Sequence, residues 1–119
     1  MTEREDLVRR AYEAFNSRDI DAVLELMDPQ VDWPNGMEGG REHGHAAVRD
    51  YWTRQFTMID SRVEPEQIEI GDDGRVVVDV HQVVRDLDGN VLSDGYVKHV
   101  YTFREGLISH MEIKEVPAR

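Results

Sequence analysis

The run Val97-Lys98-His99-Val100-Tyr101-Thr102-Phe103 puts an imidazole on the same face of an alternating segment as Tyr101 and Phe103. Its unperturbed pKa of about 6.5 lets histidine act as acid or base close to neutral pH. The competing reading is a buried histidine satisfied by a backbone carbonyl or a water. Two carboxylates are candidate partners. Glu115 is in register with Met111 and Ile113 on the last alternating run, and its alternative is a solvated rim carboxylate near the C-terminus. Asp32 precedes Trp33-Pro34, and strict alternation lets only one of Asp32 and Trp33 face inward. Trp33 inward makes an apolar wall for a planar ligand; Asp32 inward makes a base.

Other groupings carry less chemistry. Glu42-His43-Gly44-His45 offers two imidazoles on a loop without a third ligand at convincing spacing, so no metal is expected, and Gly44 is read as starting a helix. Asp79 and His81 alternate with Val76, Val78 and Val80, which puts the polar pair on the outer, convex face and the valines in the core. Gln82 then points inward, where a buried amide needs a partner and can orient a ligand. Tyr12, Tyr51, Trp52, Phe56, Met27, Met58 and Met111 are core by default, with some of them lining any pocket.

These side chains must be held by helices first and strands after. Thr2 and Glu5 read as a capping box, and Leu7, Ala11, Ala14 and Phe15 mark a first helix over about Glu3 to Asn16. Asp19 caps a second helix carrying Val23, Leu24 and Met27, which Asp28-Pro29 stops. A short strand, Val31 to Pro34, leads into a Gly-rich connection over Asn35 to Gly44. Ala47, Val48, Tyr51, Trp52, Gln55, Phe56 and Ile59 mark a third helix. From Arg62 the period changes to two. Turns at Asp73-Gly74, Asp88-Gly89 and Glu105-Gly106 cut the rest into four β-rich runs, with a bulge or bend expected at Asp94-Gly95. The order predicts a single α+β domain over residues 1–119, a long curved antiparallel sheet wrapped around three N-terminal helices as a cone with one apolar pocket.

Composition narrows the function classes. With 14 basic against 25 acidic residues the net charge is −11, which disfavours nucleic acid and anionic membrane surfaces as partners. The absence of cysteine removes disulfides, thiolate nucleophiles and Cys-ligated zinc, and fits a reducing cytoplasm. The acidic N-terminus lacks an apolar leader-like run, and no stretch approaches the roughly 20 apolar residues that span a bilayer. No Gly-rich phosphate loop is present.

The helix with Tyr12 and Phe15, the segment Arg18-Asp19-Ile20-Asp21-Ala22-Val23, the Val31-Asp32-Trp33-Pro34 strand, His43-Gly44, and Tyr101-Thr102-Phe103-Arg104-Glu105-Gly106-Leu107-Ile108 together resemble the NTF2-like superfamily. SnoaL-like and ketosteroid-isomerase-like members are the nearest. The resemblance implies an NTF2-like cone and directs His99, Tyr101 and Phe103 toward its pocket. It also draws notice to Glu115, because several SnoaL-like members use a late-strand acid. Ketosteroid isomerases keep a carboxylate base at the position of Trp33, a helix-1 tyrosine near Ala11 (Tyr12 is one residue off) and a neutral aspartic acid at the position of His99. All three groups differ here, so the same pocket is implied without that mechanism.

The expectation is a small apolar ligand, cofactor-independent proton-transfer chemistry (isomerisation, cyclisation or dehydration of a polyketide-, terpene- or steroid-like compound), or a non-catalytic binding module. His99, Glu115 and Asp32 are the candidate catalytic residues. Trp33, Trp52, Tyr12, Tyr51, Gln82, Tyr101, Phe103 and Met111 are the candidate ligand-binding residues. The resemblance further implies a homodimer through the convex sheet face, to which Val77, Val83 and Val100 would contribute.

Overall fold

The structure, a computed structural model, describes residues 3–115. Three helices, α1 (Glu3–Asn16), α2 (Ile20–Glu25) and α3 (Gly44–Met58), pack against six strands: β1 (Met27–Pro34), β2 (Arg41–His43), β3 (Asp60–Ile70), β4 (Val76–Arg85), β5 (Val91–Arg104) and β6 (Leu107–Glu115). They form one curved, unclosed sheet in the order β2-β1-β6-β5-β4-β3. Thr2 of the expected capping box lies outside the described residues.

Helix α1 buries Leu7, Val8, Ala11 and Tyr12 along one face. It ends where Arg18 takes a positive φ of 64° and the Asp19 N–H closes on the Ala14 carbonyl at 2.9 Å. Asp19 Oδ1 then accepts the Ala22 N–H at 3.1 Å, so the expected cap of α2 is present. Helix α2 stops at Glu25, and Met27 opens β1 instead of closing the helix. Pro29 therefore does not end the helix. It lies within β1 between the ladder pairs Met27↔Ile108 and Asp32↔His110, a stretch of shifted register that tolerates its missing N–H.

The β1–β6 pairing is parallel, in contrast to an all-antiparallel sheet, while the other ladders are antiparallel. Strand β2 inside the Gly-rich connection carries no alternation of its own, and its three residues hydrogen-bond to β1. Gly74, Gly89 and Gly106, with φ of 84°, 95° and 82°, make the three turns between the last four strands. The irregularity expected at Asp94-Gly95 falls elsewhere. Those residues pair regularly with Val83 and Gln82, and the register shifts where Val84 faces Ser93 and Arg85 faces Val91.

Val76, Val78 and Val80 are fully buried at the sheet's inner face against Val8, Val31, Val48 and Trp52. The opposite face carries cross-strand pairs: Lys98 Nζ to Asp79 Oδ1 at 2.6 Å, and His81 Nε2 to Asp94 Oδ1 at 2.6 Å. Alternation on β4 thus places the polar pair outward, as expected.

Candidate functional site

Between the helices and the inner sheet face lies a cavity of about 400 Å³, within the usual range for small-molecule pockets. Helix α1 contributes Ala11, Tyr12 and Phe15, α3 contributes Tyr51, Trp52 and Gln55, and β1 contributes Trp33 and Pro34. Strands β3 to β6 add Ser61, Val63, Gln82, Val84, His99, Tyr101, Met111 and Ile113. An aromatic frame supports the wall: Trp52 meets Trp33 and Phe15 edge-on, each at 5.5 Å between ring centroids. The lining side chains among the described residues include no carboxylate, ammonium or guanidinium group.

His99 is held from below. Tyr12 Oη lies 2.8 Å from His99 Nδ1, and Tyr101 Oη donates to Tyr12 Oη at 2.8 Å. The Tyr12 and His99 rings stack with centroids 5.9 Å apart. The direction of this relay fixes the histidine tautomer. If Nδ1 carried the proton, it would donate to Tyr12, Tyr12 would donate to Tyr101, and the Tyr101 hydroxyl proton would be buried without an acceptor. That loss costs about 1–3 kcal/mol. The opposite sense satisfies every group, with Tyr101 donating to Tyr12 and Tyr12 donating to Nδ1. His99 therefore carries its proton on Nε2.

Nε2 makes no hydrogen bond among the described residues. The one fully enclosed polar side-chain atom left without a partner there is Arg9 Nε, so Nε2 is open to the cavity. Burial lowers the His99 pKa to about 4, because the site offers no carboxylate to stabilise an imidazolium. Burial likewise raises Tyr101 and Tyr12 above the ordinary phenol value. The expectation of a group titrating near neutrality is thus corrected: His99 is neutral at physiological pH. It presents an N–H donor whose relay does not release protons.

The structure separates the other candidates. Trp33, Trp52, Tyr12, Tyr51, Gln82, Tyr101 and Met111 line the cavity with His99. Asp32 does not. It faces the other side of β1, where Arg41 Nε donates to its Oδ1 at 2.5 Å and His110 Nδ1 is 3.6 Å from Oδ2. Alternation with the inward Trp33 is the reason. Glu115 is exposed opposite Val97, two residues beyond Ile113, where β6 has run past the cavity rim. Phe103 also misses the cavity. The β5–β6 register shifts between Thr102 and Phe103, and Phe103 packs at the core's edge under the Arg4 guanidinium at 4.9 Å. Neither proposed carboxylate partner reaches His99.

Two polar lining residues were not singled out from sequence. Ser61 follows the end of α3 and is only 1% exposed. Gln55, 7% exposed, sits on the apolar face of α3; an amide at a core position of that helix was the available signal. Gln82 Nε2 donates to Ser61 Oγ at 3.4 Å. Around the loop Glu42 to His45, Glu42 accepts from Asn35 at 2.8 Å, His43 meets Gln30 at 3.1 Å and His45 meets the Met27 carbonyl at 3.0 Å. These three side chains diverge, and no metal-binding cluster of three ligands occurs among the described residues. Gly44 starts α3 with a φ of 85°, the role expected of it.

The SnoaL-like domain family profile matches residues 8–111, and the chain belongs to this family within the NTF2-like superfamily. An NTF2-like protein of unknown function from Burkholderia pseudomallei is 30% identical over 98% of this chain and 92% of its own, with a TM-score of 0.84. TerC, crystallised with polyporic acid, is 29% identical over 97% of this chain and 92% of its own, with a TM-score of 0.83. A putative polyketide cyclase from Xanthomonas campestris is 26% identical over 93% of this chain and 88% of its own, with a TM-score of 0.79. No curated protein matches the chain. Among the described residues, no helix is long and apolar enough to cross a membrane.

Proposed function

We propose that this SnoaL-like domain is a cofactor-independent enzyme acting on an uncharged, largely apolar carbonyl compound of polyketide-like character. The reaction class is enolisation-linked: isomerisation, aldol-type cyclisation or dehydration. The substrate's α-proton passes to a water in the cavity, because no carboxylate among the described residues lines it. Meanwhile His99 Nε2–H donates a hydrogen bond to the substrate carbonyl and stabilises the oxygen as negative charge develops there. Tyr12 and Tyr101 fix the tautomer and hold the ring. A neutral donor in an enclosed site serves this role because its dipole is already oriented when charge appears. The observation that carries the reading is the wired, cavity-facing Nε2 of a buried, neutral histidine. The similarity to a putative polyketide cyclase and to a protein crystallised with polyporic acid supports the substrate class.

A binding module is the second reading, favoured by the uncharged lining, which supplies no carboxylate base to take the α-proton. The two readings separate with 2-tetralone as a probe. Ligand-observed NMR measures its binding, and loss of its α-proton signal in D2O measures enolisation. The enzyme reading predicts exchange faster than buffer, falling to the buffer rate in His99→Phe while binding persists. Binding without accelerated exchange would overturn it and leave the module.

A further inference from the structure

The cavity has a second polar end. Along β4, Gln82 lies four positions beyond Val78, the residue paired with His99. At about 3.3 Å per residue this is about 13 Å along the strand. Gln82 pairs with Val63 on β3 and donates through Nε2 to Ser61 Oγ. That bond occupies one amide proton and leaves Oε1, which accepts no hydrogen bond among the described residues, as an acceptor. Ser61, buried beside it, accepts from Gln82 and keeps its own hydroxyl proton to donate. Gln55 lies one helical turn before Ile59, which leads directly into the strand that carries Ser61.

Gln55 supplies the independent sign of a ligand. Its side chain is more than nine-tenths buried and its amide has no hydrogen-bonding partner among the described residues. It is also not fully enclosed, since Arg9 Nε alone is in that condition. Its polar atoms therefore open onto the cavity that Gln55 lines. A buried amide without a protein partner costs stability that a ligand group or water must offset. The apolar span between the ends is formed by side chains such as Trp33, Trp52 and Val63.

We propose that Gln82, Ser61 and Gln55 form a distal subsite for a hydroxyl group, so that the preferred ligand is an elongated, uncharged molecule with a carbonyl at the His99 end and a hydroxyl at the other. The subsite rests on the reading of His99 as a carbonyl donor, which sets the ligand's direction. Gln82 Oε1 accepts the ligand hydroxyl proton, and Ser61 or Gln55 donates to its oxygen. A carboxylate or ammonium at either end is disfavoured, because no opposite charge lines the cavity to compensate its desolvation.

Three matched probes test it: 4-acetylbiphenyl, 4-hydroxybiphenyl and 4-acetyl-4′-hydroxybiphenyl, with Kd measured by calorimetry. The wild type should bind the two-ended probe about tenfold more tightly than 4-acetylbiphenyl, the worth of one satisfied hydrogen bond. Gln82→Leu should erase that gain, read as the ratio of the two Kd values within the variant itself, and Gln55→Leu should reduce the same ratio. His99→Phe should weaken both acetyl probes alike and preserve the gain from the hydroxyl. If 4-acetylbiphenyl binds but the added hydroxyl gains nothing, the distal subsite is wrong and the carbonyl site stands. If neither acetyl probe binds, or if His99→Phe leaves both unaffected, the carbonyl reading fails and the subsite with it.

Discussion

Acidification from pH 7 to 4.5 should destabilise this protein in a way that depends on His99. Burial holds its folded-state pKa at about 4, against the ordinary value of 6.5 that the unfolded chain regains. Between those values the unfolded state binds a proton that the folded state refuses. Stability is therefore intact above pH 6.5, falls as pH drops through the window, and levels off below 4. The whole gap corresponds to about 3 kcal/mol, of which about 2 kcal/mol is lost between pH 7 and 4.5. Urea unfolding of the wild type and of His99→Gln, followed across this range, measures it. All other ionisable groups are common to both proteins and cancel in the difference. The advantage of the wild type over the variant should shrink by about 2 kcal/mol on acidification. A difference that stays flat would mean that His99 is charged or solvated in the folded state. The neutral-donor role would then collapse.

Long-range 1H–15N spectra of the imidazoles should show His99 as the Nε2-protonated tautomer. Tyr101→Phe should keep it, because Tyr12 still donates to Nδ1, whereas Tyr12→Phe should introduce the other tautomer by removing that donor; a wild-type Nδ1-protonated ring refutes the relay. Asp32→Asn should change stability by less than about 1 kcal/mol in thermal unfolding, because its ion pair with Arg41 is solvent-exposed, and should leave ligand affinity unaltered; a lost affinity would return Asp32 to the site. Trp52→Ala should cost about 3–5 kcal/mol in chemical denaturation, since the indole is buried against Phe15 and Trp33, and a cost below 1 kcal/mol would contradict the packed wall. We also propose a homodimer through the convex face, on which β4 carries the half-buried Val77 and Val83; sedimentation should give twice the chain mass, Val77→Glu with Val83→Glu should halve it, and a monomeric wild type removes the proposal.

The elements that were legible in the sequence are those whose signals are local. Val76, Val78 and Val80 announce an inner face by period two, Asp19 announces a cap, and three glycines announce turns that only a positive φ completes. What escaped depends on partners far along the chain. Strand β2 exists because Arg41 to His43 meet β1, and the parallel β1–β6 pairing has no trace in either segment. Phe103 shares its period with His99 and packs on the core, but it lies one residue from the end of β5, beyond the cavity. Glu115 keeps its period too, yet alternation says nothing about where a cavity ends. His99 was legible as a position; its chemistry came from Tyr12, 87 residues away in sequence.

That dependence changes which reactions suit the site. A histidine titrating near neutrality would be judged by its power to move protons. Here burial lowers His99 while it raises both tyrosines, so each member of the relay resists ionising. The arrangement works by holding a dipole still, and its worth should appear in kcat as charge accumulates on the bound oxygen. Removing a single donor of this kind costs about 10²–10³ in rate. His99→Phe should show a loss of that size in kcat at saturating substrate, in addition to its weaker hold on the carbonyl, and the wild-type rate should not bend between pH 6 and 8. A rate that rises or falls tenfold across that interval would mean that a titrating group, and not a fixed dipole, drives the reaction, and would refute this reading.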